Sequence, residues 1–265
     1  MAITHTLDAA PANATRVPVN IITSHDLDIA LSEGWADFHE KRGDLIFAGM
    51  IYPIIGLVAA WAANGGPMTW LLFPLAAGLS LVGPLFATGF YELAKRREEG
   101  RDASWRHFFD ITRSARLDGI AVVAVILIAL FAGWLVAAGV VYGIFFGLHE
   151  PASLTSFLRE VLTTPQGWGM IVVGNLVGFA FAVAALALSV VSLPMLIDRD
   201  VDVGTAIRTS IDSVRRNPVA MARWGLTVAI LLFVGSIPAF LGLAVVLPWL
   251  GYATWHLYRR VVPTT

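Results

Sequence analysis

Cysteine is absent from the 265 residues, which excludes disulfides, thiolate metal sites and cysteine nucleophiles. Charge is scarce as well: Asp, Glu, Lys and Arg make up 14% of the chain, against about 25% in a soluble domain. The shortage is local. No charged residue occurs between Leu45 and Tyr91, Gly119 and His149, Val161 and Ile197, or Trp224 and Tyr258. About 20 apolar residues in a helix cross roughly 30 Å of hydrocarbon, so these blocks describe a polytopic helical membrane protein. Mean hydropathy, at +0.72, agrees.

Two further shortages narrow the chemistry. No Asp or Glu falls at mid-depth of an apolar block, since Glu92 lies one turn before the Lys95 cluster. Intramembrane carboxylates mark proton and cation pathways, and their lack argues against ion-coupled transport. Of the six histidines, His5, His25, His39, His107 and His149 lie outside the spans, and His256 sits near the cytosolic end of one. No pair is available for bis-histidine haem, and no ligand set for copper. GxSxG, Walker and HExxH patterns are all missing. Asp198, Arg199, Asp200 and Asp202 read as a capped, salt-bridged turn beside Arg208. The expectation is a protein without catalytic residues, metal or cofactor.

Taken in order, residues 1–25 mix Ala, Thr, Pro and Asn without a basic start and apolar middle, and are expected to form a flexible cytosolic tail. Residues 26–265 read as a single membrane domain. Ser24 or Asp26 can cap a helix running to about Arg42, with Leu27, Leu31, Trp35 and Phe38 on its apolar side. Spans are expected over about 43–63, 68–93, 119–147, 169–197, 220–234 and 238–260. Amphipathic segments precede the odd-numbered spans, around 26–42, 104–116 and 203–217, and suit the membrane interface. A short helix near 154–164 falls between spans three and four.

Basic residues favour cytoplasmic loops. With six spans and both termini cytosolic, every one of the eighteen Lys and Arg residues except Arg159 lies on the cytosolic side. A threefold pattern then emerges over about 26–101, 102–200 and 201–262: interfacial helix, span, return span bearing a proline, basic exit. Internal triplication would produce it, and so would any chain of three membrane hairpins. The fold class is therefore all-α, with six transmembrane helices in three hairpins.

Several residues are candidates for function. Pro84, Pro194 and Pro248 occupy similar places in the return spans. Each can free a backbone carbonyl to line a cavity or act as a hinge, or can simply be a proline tolerated in a membrane helix. Asn175 and His256 are polar residues within spans. Gly139, Gly143 and Gly147, with Gly174 and Gly178, form small-residue faces that let helices approach within the chain or with a partner. Lys95, Arg96, Arg97, Arg259 and Arg260 are candidates for anionic lipid head groups, or else ordinary positive-inside anchors.

The stretches FPLAAGLSLVGPLFATGFYELAKRREEG (73–100), LSVVSLPMLIDRDVDVGTAI (188–207) and LPWLGYATWHLYRR (247–260) resemble an uncharacterised family of bacterial, mainly alphaproteobacterial, six-span integral membrane proteins. Some members carry the loose label cytochrome c oxidase subunit I-like. The resemblance implies a bacterial inner membrane location. The histidines that haem-copper catalysis needs are missing here. Two functions are consistent with these residues. One is an accessory or assembly subunit of an inner-membrane complex, such as a respiratory oxidase. The other is a binder or carrier of a lipid, quinone or other hydrophobic molecule.

Overall fold

A computed structural model describes residues 17–40, 50, 54, 72–113, 116–147, 153–238 and 240–263. The expected first span, 43–63, lies outside them. Nine α-helices carry the description: α1 Ser24–Glu40, α2 Leu72–Glu98, α3 Leu117–Phe146, α4 Leu154–Thr163, α5 Pro165–Ser189, α6 Ser192–Asp198, α7 Val203–Arg216, α8 Pro218–Ser236 and α9 Leu243–Val261.

Four stretches among the described residues are long and apolar enough to cross a membrane: Phe73–Glu98, Leu117–Phe146, Pro165–Asp198 and Pro218–Ser236. They correspond to the expected second to fifth spans. Their outer faces are apolar and uncovered, including Val125, Val136 and Ile144 on α3, Leu176 and Phe179 on α5, and Leu226 and Phe233 on α8. Contiguous exposed apolar faces of this extent are rare on soluble monomers and suit contact with hydrocarbon. The expected sixth span falls on α9, which is not among the four. Its last two turns carry His256, Arg259 and Arg260, and twelve of its residues are buried. It forms the centre of the molecule, enclosed by α1, α2, α6 and α8.

Local chemistry sets the helix ends. Thr23 and Asp26 form a reciprocal cap at the start of α1: the Thr23 amide donates to Asp26 Oδ2 at 2.7 Å, and the Asp26 amide to Thr23 Oγ1 at 3.4 Å. The helix thus begins slightly earlier than expected. The expected tail is also shorter, because residues from Val17 onward are tied down. The Asn20 amide donates to the Val261 carbonyl at 2.8 Å. Asn217 accepts from the Ile22 amide at 2.8 Å and donates to the Asn20 carbonyl at 3.0 Å.

Gly100, at φ 67°, ends α2 with the paired bonds of a Schellman-type stop, Gly100 N–H to Arg97 and Arg101 N–H to Arg96. The second amphipathic segment, expected as an α-helix, is a 3₁₀ helix over Trp105–Arg113. It lays Phe108 across Gly89 and edge-on to Phe90, 4.9 Å between ring centres. On the far side of the bundle a Ser153/Ser156 capping box starts α4, whose Phe157 and Val161 pack against Tyr142.

The three proline-bearing stretches do not behave alike. Helices α2 and α9 run unbroken through Pro84 and Pro248. The third breaks at Val190–Val191, and Pro194 stands in the first turn of α6, where its missing N–H costs little. The Val191 amide, released by the break, donates instead to Ser210 Oγ of α7 at 3.1 Å in a buried setting.

Candidate functional site

An apolar cavity of about 520 Å³ lies between α2, α5, α8 and α9. Helices α5 and α8 rest on other neighbours (α5 on α3 and α4, α8 on α9), which leaves the space between them. Pro84, Leu186, Met221, Trp224 and Leu250 form walls. Trp224 is fully buried there. Phe179 and Val183 of α5 and Leu226 of α8 belong to both the cavity lining and the exposed surface, so the cavity opens sideways onto the apolar face. Among the described residues that line it there is no Asp, Glu, His, Lys or Arg.

One end of the cavity is polar. Tyr91, Ser189 and Thr254 line it and are each more than 90% buried. They sit near the C-terminal ends of α2, α5 and α9, which point the same way and meet the charged layer described next. Ser189 Oγ donates to the Ala185 carbonyl at 2.6 Å, and Thr254 Oγ1 to the Leu250 carbonyl at 2.6 Å. The Tyr91 hydroxyl meets the Thr254 side chain.

Above this end lies a charged layer. Asp198, at the C-terminal end of α6, accepts from Arg259 Nη1 and Nη2 at 2.7 and 2.9 Å and from the Tyr258 hydroxyl at 2.7 Å. Arg259 also donates to Glu98 at 3.0 Å and lies 4.8 Å from the Trp255 ring centre. Arg260 holds Glu33 through both carboxylate oxygens, at 2.8 and 2.9 Å. His256 lies between Asp37 at 2.7 Å and Glu33 at 3.3 Å. Lys95 and Arg116 donate to the Ile197 carbonyl at 2.9 and 2.7 Å, which places two cations on the negative end of α6. Arg96 bridges Glu92 and Asp110, each at 2.8 Å, and Arg97 pairs with Asp37 at 2.9 Å and with Glu40.

The sequence candidates divide accordingly. Of the three prolines only Pro84 lines the cavity; Pro194 and Pro248 are buried in packing. Asn175 is exposed on α5 and returns its amide to the Ile171 carbonyl of its own helix at 2.7 Å. The five basic candidates Lys95, Arg96, Arg97, Arg259 and Arg260 are drawn together, each into contacts with acids or carbonyls of this chain. The turn from Asp198 to Asp202 is capped and salt-bridged: Asp202 accepts from the Thr205 amide at 2.9 Å, and Asp198 pairs with Arg259 and Arg199. Among the described residues, no group of His, Asp and Glu could hold a metal ion.

The glycine face on α3 is largely unpacked among the described residues. A Cβ added at Gly143 or Gly147 would meet open space, and Gly147, at φ 67°, is a helix cap. Gly139 is half-buried. On α5, Gly178 faces Trp134, and Gly174 only reaches the Val141 side chain at 4.0 Å. A close backbone approach between helices lies elsewhere: a Cβ at Gly34 of α1 would lie 2.4 Å from the Ala253 backbone nitrogen of α9. A search for paired glycines missed it, because the small residue four before Gly34 is Ala30. Ser189 and Thr254 are legible in the sequence as polar residues within spans, but their meeting with Tyr91 is not, since the three come from distant helices.

Residues 72–198 match a family model described as a predicted integral membrane protein (DUF2189). The match spans α2 to α6 and so includes two walls of the cavity, Tyr91, Ser189 and Asp198. No curated protein and no solved structure matches the chain. The matching family model and the uncovered apolar helices agree: the chain is an integral membrane protein.

Proposed function

We propose that this protein binds a hydrophobic chain in the cavity between α2, α5, α8 and α9 and performs no reaction on it. The observation that carries this reading is the lateral opening. Phe179, Val183 and Leu226 place the mouth on the face that meets hydrocarbon, so a ligand enters from the bilayer without crossing water. The lining fits such a site, being mostly apolar with a few convergent polar groups. An exposed protein partner could cover the outer faces of α3 and α5, but lipid covers them equally well, and no described feature selects an accessory-subunit role.

In the bilayer the charged layer faces the cytosol, following the bias of Lys and Arg. Both termini lie on that side, and the protein makes six crossings of the bacterial inner membrane, with 43–63 as the first and α9 as the last.

The test is extraction. Purification of the full chain in mild detergent, solvent extraction and mass spectrometry should recover one apolar molecule near stoichiometry. Gly83 lines the cavity, and a Cβ there meets nothing within 4 Å, so Gly83→Leu fills space without a clash. Its preparation should lose at least about four-fifths of the ligand at unchanged thermal stability. Recovery of only bulk lipid from the wild type, unchanged by Gly83→Leu, refutes the reading.

A further inference from the structure

A chain that moves from bilayer to cavity exchanges one hydrocarbon environment for another, so apolar burial supplies little discrimination. Selectivity must come from the polar end, and there two hydroxyl protons are already engaged. Ser189 and Thr254 donate to carbonyls of their own helices at 2.6 Å. The Tyr91 hydroxyl lies beside the Thr254 side chain. A hydroxyl has one proton to give and two lone pairs, so Ser189 and Thr254 present acceptor oxygens to the cavity. All three are also at least 92% buried, out of reach of water that would otherwise satisfy them.

Two more features limit the ligand. The described lining holds no charged residue, and an unpaired ion is very costly to bury, which rejects phosphate and carboxylate head groups. A cavity of roughly 150 Å³ holds one benzene, so about 520 Å³ takes on the order of twenty carbon atoms. That is one acyl or isoprenoid chain with a small head, and it is too little for two acyl chains.

We infer that the cavity selects a neutral, single-chain amphiphile whose head donates hydrogen bonds, a lipid alcohol or primary amide, with its head at Tyr91, Ser189 and Thr254. This rests on the reading of the cavity as a hydrophobic binding site and names its ligand class. A quinone or ester, whose oxygens only accept, meets acceptors at Ser189 and Thr254 and is disfavoured.

The test uses the full chain in mild detergent and three probes with the same tail: hexadecanol, methyl hexadecanoate and, at pH 8, hexadecanoate. Retention of radiolabelled probe on size exclusion gives the affinities. Hexadecanol should bind about tenfold more tightly than the methyl ester, the size expected for one or two hydrogen bonds, and more tightly still than the carboxylate. In Ser189→Ala/Thr254→Val the alcohol-to-ester ratio should fall to about one, and Ser189→Ala alone should lower it if the double variant does not fold. If ester or carboxylate binds the wild type as tightly as the alcohol while Gly83→Leu abolishes retention of all three, the head-group assignment fails and the binding site stands. If no probe is retained more by wild type than by Gly83→Leu, both readings fail.

Discussion

Removing the Asp198 carboxylate should destabilise the charged layer more than removing any surface acid. Asp198 is 10% exposed at its side chain and takes three hydrogen bonds of 2.7–2.9 Å, two from Arg259 and one from Tyr258. Breaking a buried ion pair from one side costs about 3–5 kcal/mol, because the remaining charge is left uncompensated. Arg259 is 21% exposed and keeps Glu98 at 3.0 Å and the Trp255 ring, so the expected loss for Asp198→Ala is smaller, about 2–3 kcal/mol.

A chain of this size loses about 2–4 °C in Tm per kcal/mol, which puts the fall at roughly 4–12 °C by thermal unfolding in mild detergent. The control is Asp28→Ala. Asp28 meets Arg223 at the same 2.7 Å but at 55% and 45% exposure, where a pair contributes about 0–1 kcal/mol. Adding Arg259→Leu to Asp198→Ala should recover part of the loss, since the Arg259 charge is then no longer left without Asp198, while Glu98 keeps the Trp255 indole N–H at 2.9 Å. Equal shifts for Asp198→Ala and Asp28→Ala, or a double variant less stable than Asp198→Ala by the full effect of Arg259→Leu, would refute the argument.

Two other outcomes follow from packing and from capping. Gly34→Ala forces a Cβ against the Ala253 backbone at 2.4 Å, where neither helix can yield through a flexible side chain. It should cost about 1–3 kcal/mol, whereas Gly143→Ala, which points into open space, should be neutral or slightly stabilising. Equal melting temperatures for the two variants would count against the α1–α9 contact. Hydrogen bonds from the Thr205 side chain and amide hold the Asp202 carboxyl below its ordinary range. A depressed folded-state pKa contributes stability above the unfolded value, lost as pH falls through the folded one. Asp202→Asn, also a good cap, should match the wild type at pH 7 and show a flatter decline in Tm below about pH 4. Parallel acid limbs would exclude a role for that carboxylate.

How far the chain could be read from its sequence depended on the range of each interaction. Length and hydropathy located the second to fifth spans to within a few residues, because crossing hydrocarbon is a constraint on one continuous segment. The pattern at α1 was legible as amphipathic, but its partner was not. Leu27, Ala30, Gly34 and Phe38 are the residues it buries, against α9 more than two hundred residues away. Recurrence of Pro84, Pro194 and Pro248 hinted at equivalence, yet one lines a cavity, one follows a helix break and one is packed in the core. The same spacing met three different sets of neighbours.

The sequence by itself determined that this protein lives in a membrane and is all-helical, since the absence of charge over whole spans leaves the backbone no partner except its own helix. The same scarcity left few groups for chemistry. Tertiary structure alone decided what those groups do. It turned five exposed-looking cations inward onto Asp198, Glu98, Glu33, Asp37 and main-chain carbonyls, an arrangement that depends on pairings across up to 227 residues of sequence. It also left α5 and α8 apart and brought Tyr91, Ser189 and Thr254 to one end of the space between them. A cavity is a property of the gaps between segments, which no local pattern of residues encodes.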